Sequence, residues 1–217
     1  MRRPVPKTIL TSYAVAWLYL VGFVVVQVIY ADLSAHDQAT WVGWASTSVS
    51  NLHHDPVGSL IASAFVTGES APAWPVLIAL AMFGANGTLG NGRTALVCAA
   101  GQVIGTLVSE GIVGYRVSRG LLPELDRDLI DVGPSYVVVS AAVVALLYGS
   151  RLARAAAALD LALLVFLGNI FGGLSQLNLA AVGHVTAMIV AAIVGTFLVW
   201  RRRRGIGVRS TEAGSSL

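Results

Sequence analysis

Two side chains in this 217-residue chain have the chemistry of a nucleophile and its base. They are Ser135, in Asp131-Val-Gly-Pro-Ser-Tyr136, and His184, in Val182-Gly-His-Val-Thr186. A neutral imidazole beside a serine hydroxyl is the minimal means of generating an alkoxide-like nucleophile near neutral pH. The Gly-Pro pair predicts a helix start, because proline fits the first turn, where its missing N–H is not needed. Ser135 then lies just inside one apolar segment, and His184 about five residues, or roughly 7–8 Å, inside another. Each residue also has a plainer use. A serine at a helix start satisfies free backbone N–H groups, and a histidine can serve packing. An ionisable group within a membrane span is nevertheless costly and tends to mark function.

The elements that must hold this pair are apolar. The chain is 56% hydrophobic and 12% charged, with a mean hydropathy of +0.75, against about 25% charged in soluble domains. Its polar residues collect between six long apolar runs, the pattern of an all-α, polytopic membrane protein with six transmembrane helices. The runs are Leu10 to Tyr30, Trp74 to Gly90, Thr94 to about Tyr115, Gly133 to Gly149, about Ala155 to Ile170, and Leu179 to Trp200. Residues 1–9 read as an N-terminal segment, 10–204 as one membrane domain and 205–217 as a polar tail. Residues 31–73 form a linker without lysine or arginine; within it Val57 to Val66 is too short to span and should lie in the interface.

Positive charge orients the bundle. Of the 14 lysines and arginines, all but Arg116, Arg119 and Arg127 fall on the side of the termini. The positive-inside rule then puts both termini in the cytoplasm of a multi-pass plasma (inner) membrane protein, with the 31–73 linker and the Arg116–Asp131 loop outside. Helices four and six both enter from outside, so Ser135 and His184 share a depth. The basic balance is a topology signal rather than a nucleic-acid surface, and the four-arginine run Arg201 to Arg204 also touches anionic lipid headgroups.

Other residues read as structural. Gly101-x-x-x-Gly105 is a spacing that lets helices approach closely in lipid. Cys98 lies alone in an apolar run and cannot form an intrachain disulfide. His53-His54-Asp55, with His36 and Asp37, has ligand chemistry but no metal-site spacing, and reads as a solvated loop. Asp160 is expected about a turn inside helix five, paired with Arg154 or Arg151. The sequon Asn86-Gly-Thr88 falls on the cytoplasmic side. No cofactor or metal is implied.

On Gly133-Pro-Ser-Tyr136, on Asn178-Leu-Ala-Ala-Val-Gly-His184-Val-Thr-Ala-Met188 and on the turn Leu89-Gly-Asn-Gly-Arg93, the chain resembles the rhomboids, the intramembrane serine proteases, and in particular their divergent actinobacterial-type relatives. The resemblance covers roughly Ser50 to Arg204. It implies a six-helix bundle with cytoplasmic termini, Ser135 as nucleophile and His184 as general base and then acid. The substrate would be a transmembrane or juxtamembrane segment of another protein, admitted between helices. Three departures stand out. Tyr136 replaces the family's glycine after the serine, Ala187 replaces a glycine after the histidine, and Trp74 to Gly84 lacks the family's helix-two histidine and asparagine. Losing one such oxyanion donor costs about 2.7–4 kcal/mol; Asn169 and Asn178 are the available substitutes. Two functions follow: a Ser-His protease, or a pseudoprotease that binds membrane segments without cleaving them. A transporter or channel would want polar residues through the midplane of several spans.

Overall fold

The structure is a computed structural model and describes residues 9–68 and 72–214. Arg2, Arg3, Lys7 and Glu69, and the last residues of the polar tail, lie outside the described residues. The described chain is helical, without a strand among the described residues. After a single turn, α1 (Ile9–Ser12), come α2 (Ala14–Ala31), α3 (Ala35–Ala45), α4 (Val49–His54) and α5 (Pro56–Ala62). The bundle is completed by α6 (Trp74–Leu89), α7 (Asn91–Ser118), α8 (Ser135–Tyr148), α9 (Arg151–Phe166) and α10 (Leu179–Gly214).

Helix α8 is the axle. Every residue from Tyr136 to Ala145 is buried, as expected of a helix that is apolar all round. Helices α6, α7, α9 and α10 surround it. Helix α2 stands at the edge against α6, with Leu18, Val21, Val25 and Val28 exposed. That apolar outer face is what a lipid solvent permits and water does not. Helices α2, α7 and α10 are long and apolar enough to cross a membrane, whereas α6 and α8 are apolar but shorter; the count of six spans is thus not reached on length and composition.

Several boundaries differ from the sequence reading, each for a local reason. Asn91-Gly92-Arg93 is the first turn of α7, not the connecting turn. The reversal is carried by Gly90 alone, at φ +80, where a side chain would be strained. Helix α9 begins four residues earlier than its apolar run because Ser150 caps it, accepting from the Ala153 N–H at 3.3 Å. Arg154 in its first turn donates to the Leu147 carbonyl at 3.1 Å, satisfying the end of α8. Helix α10 continues through the arginine run into the polar tail. The 31–73 linker is built from α3, α4 and α5, started by Ser34, Ser48 and Asp55 side chains respectively.

Candidate functional site

One face of α8 meets α10, and its register decides which side chains meet. Tyr136 lies against Gly183, where any Cβ would overlap the phenol ring. One turn on, Ser140 Oγ stands 3.5 Å from the Ala187 carbonyl of α10 and against Gly101 of α7. Val144 then meets Gly195, and Tyr148 hydrogen bonds with Thr196. The stripe is i, i+4, i+8, i+12 from Tyr136. Ser135 is half-buried and sits one residue, about 100° of helical rotation, off that stripe.

His184 is 5% exposed, on the second turn of α10. Its Nδ1 lies 3.1 Å from the Ile170 carbonyl. A carbonyl can only accept, so this contact makes Nδ1 the donor and leaves Nε2 as the free lone pair of the neutral ring. Nε2 is enclosed and has no hydrogen-bond partner, so Ser135 is not bonded to it. The residue that does pack on the imidazole is Tyr136, in an edge-on contact with ring centroids 5.0 Å apart and planes at 83°.

The Tyr136 hydroxyl donates to Asp131 Oδ2 at 3.1 Å. The Asp131 carboxyl also accepts from Thr47 Oγ1 at 3.3 Å, and its backbone is tied to Thr47 N and Ser46 Oγ at 3.0 Å each. Gly133 N donates to the Ser63 carbonyl at 2.8 Å, so the chain leading into α8 is fixed to the 46–63 region on two sides. Burial pushes the Asp131 carboxyl above the ordinary carboxylate range; the hydrogen bonds from Tyr136 and Thr47 oppose that shift without cancelling it.

Oxyanion donors are sparse. The first intrahelical bond of α8 runs from Val138 N to the Pro134 carbonyl, leaving the preceding N–H groups at the helix's positive end without an intrahelical acceptor. Asn178 starts α10 instead, accepting from Ala181 N at 3.5 Å. Asn169 adopts φ 47 with its amide against Gly172.

Two carboxyl groups, Asp160 and Glu110, are buried within helices. Asp160 is wholly buried in mid-helix, and neither of its oxygens has a partner. The expected pair with Arg151 or Arg154 is not formed, because α9 starts early enough to put both arginines in its first turn. Glu110, on α7, is 2% exposed with both oxygens likewise unpartnered. No motif in the sequence marks it, but the cost of an ionisable group inside an apolar run applies to it as it does to His184, and that signal could have found it. His36 and His54 are exposed. Among the described residues no group of three or more His, Cys, Asp or Glu side chains is placed to hold a metal ion.

Residues 10–203 match the family described as "Rhomboid-like protein". The chain therefore belongs to the rhomboid-like family and is a membrane protein of that kind. No curated protein and no solved structure matches it.

Proposed function

We propose that this protein is a rhomboid-like pseudoprotease of the plasma (inner) membrane, which binds transmembrane segments of other proteins without hydrolysing them. It crosses the bilayer six times with both termini in the cytoplasm. The observation that carries the reading is the register of α8: the helix turns Tyr136, not Ser135, toward His184. An enzyme must hold nucleophile and base within hydrogen-bond reach, and here a phenol anchored on Asp131 occupies the place beside the base. The scarcity of side-chain oxyanion donors points the same way.

The alternative, a protease using Ser135 as nucleophile and His184 as base, draws on one observation. Nδ1 is engaged with Ile170, so Nε2 is left in the form that accepts a proton. Labelling of the purified protein in detergent with a fluorophosphonate, beside Ser135→Ala and His184→Ala, separates the two readings. The expected result is no labelling of the folded, monodisperse parent. Labelling that disappears in both variants would establish an activated serine and return the protein to the proteases.

A further inference from the structure

The arginine-rich end of the bundle, opposite Ser135 along α8, carries two cavities that share a wall. The larger, about 830 Å³, is a mainly apolar groove between α6 and α9, with Leu80, Phe83, Leu152 and Ala156 among its lining residues. The smaller, about 340 Å³, is polar and reaches from Ser12 and Asn86 to Arg93 and Arg202. Tyr13, Gly87 and Thr88 line both, so the two are continuous. Among the described residues no acidic side chain lines either one.

The arginines are placed rather than merely near. Arg202 Nη1 donates to the Thr88 carbonyl at 3.2 Å, which fixes its guanidinium on the shared wall. Arg93 stands in the first turn of α7, at the positive end of that helix's dipole. Neither is in an ion pair among the described residues, where Arg127–Glu124 is the pair formed. Their neighbours behave differently: Arg201 lies over the Phe197 ring at 5.5 Å and Arg204 over Trp200 at 3.9 Å. Two unpaired guanidiniums at one end of an apolar groove form an amphipathic receptacle, cationic at the membrane surface and oily below. A transmembrane helix would fill the groove but leave the arginines unanswered, and a soluble anion would do the reverse.

We propose that the joined cavities bind one anionic glycerophospholipid, with its phosphate between Arg93 and Arg202 and an acyl chain along the Phe83–Ala156 groove. The site is independent of the chemistry at Ser135. It is tested by native mass spectrometry of the detergent-purified chain titrated with phosphatidylglycerol or phosphatidylcholine. The variants are Arg93→Gln/Arg202→Gln, Arg201→Gln/Arg204→Gln and Ala156→Leu. The parent should retain phosphatidylglycerol one-to-one in preference to phosphatidylcholine. Arg93→Gln/Arg202→Gln should weaken that binding about thirtyfold, the loss of two charge-assisted contacts to phosphate at about 1 kcal/mol each. Arg201→Gln/Arg204→Gln, an equal loss of charge from guanidiniums that lie over Phe197 and Trp200 and line neither cavity, should change it by less than about threefold, as for screened surface charge. Ala156→Leu, which narrows the groove, should weaken the lipid but leave glycerol 3-phosphate binding unchanged. Equal losses in the two arginine variants would reduce the effect to general surface charge and overturn the site. So would an absent preference for phosphatidylglycerol, or glycerol 3-phosphate displacing the lipid at equal concentration.

Discussion

At the scale of residues, the distinctive substitution is Tyr136. A glycine there would leave space beside His184, whereas the phenol fills it, and Gly183 exists in complement because only a missing Cβ admits the ring. Overpacking of this kind costs about 1–3 kcal/mol, so Gly183→Ala should lower stability by that much in the parent. In a Tyr136→Ala background the penalty should fall below about 0.5 kcal/mol, the scatter expected of uncoupled sites. Thermal unfolding of the four proteins in detergent reads the coupling, and an equal penalty in both backgrounds would remove Tyr136 from this contact. Asp131 makes a second prediction. Burial raises its folded pKa above the unfolded value of about 3.9. As pH rises through that value the unfolded chain releases the proton while the folded chain keeps it, so stability falls until the raised value is passed. Asp131→Asn keeps an acceptor for Tyr136 and Thr47 but cannot ionise. Its stability relative to the parent should therefore increase with pH across this window; a difference that stays flat would contradict the raised pKa.

At the scale of elements, the central fact is the rotation of α8 about its own axis. Sequence gives a helix's depth, because Gly-Pro and the apolar run mark where it starts. Which face it turns to which neighbour depends on how small residues on the neighbours interlock with it. Thus Ser135 and His184 were legible as residues at one depth, while the separation of their faces was not: the i, i+4 stripe of Tyr136 and Ser140 becomes visible only once Gly101, Gly183 and Ala187 are seen against it. The early start of α9 was hidden for a related reason, since an alanine-rich helix capped by Ser150 extends beyond its hydrophobic stretch. The Gly101-x-x-x-Gly105 spacing, in contrast, reads directly as close packing: Gly105 meets the Gly183 carbonyl of α10, with 3.1 Å to where its Cβ would stand. The register has its own test. Gly101→Ala should be destabilising by about 1–3 kcal/mol in the parent because its methyl meets Ser140 Oγ. Ser140→Ala should relieve most of that loss and Val139→Ala none of it. Relief by Val139→Ala instead would mean that α8 is rotated by one residue, about 100°, toward the arrangement that presents Ser135 to His184.

At the scale of the whole molecule, the proposed six crossings require three long helices and three shorter ones to share one bilayer. Helices α6, α8 and α9 have 16, 14 and 16 residues, or about 24, 21 and 24 Å at 1.5 Å per residue. A hydrocarbon core is about 30 Å thick. A short helix is tolerated where its ends are enclosed by protein, because the backbone groups beyond them then find partners there rather than lipid. The start of α8 meets this condition, with Gly133 bonded to Ser63 before it; at its close Leu146 and Leu147 are exposed, and Arg154 donates to the Leu147 carbonyl there. On this account the short helices cross fully and local thinning of the bilayer absorbs the remaining mismatch. Single cysteines in a Cys98→Ala background test it, since Cys98 is the chain's one cysteine and is buried. In intact cells a membrane-impermeant maleimide should label His54→Cys and Asp128→Cys, and should reach Gly92→Cys and Ser150→Cys only after permeabilisation. Were Ser150→Cys labelled along with His54→Cys in intact cells, α8 would not cross, and both the six-span arrangement and the cytoplasmic placing of the arginine-rich end would fail together.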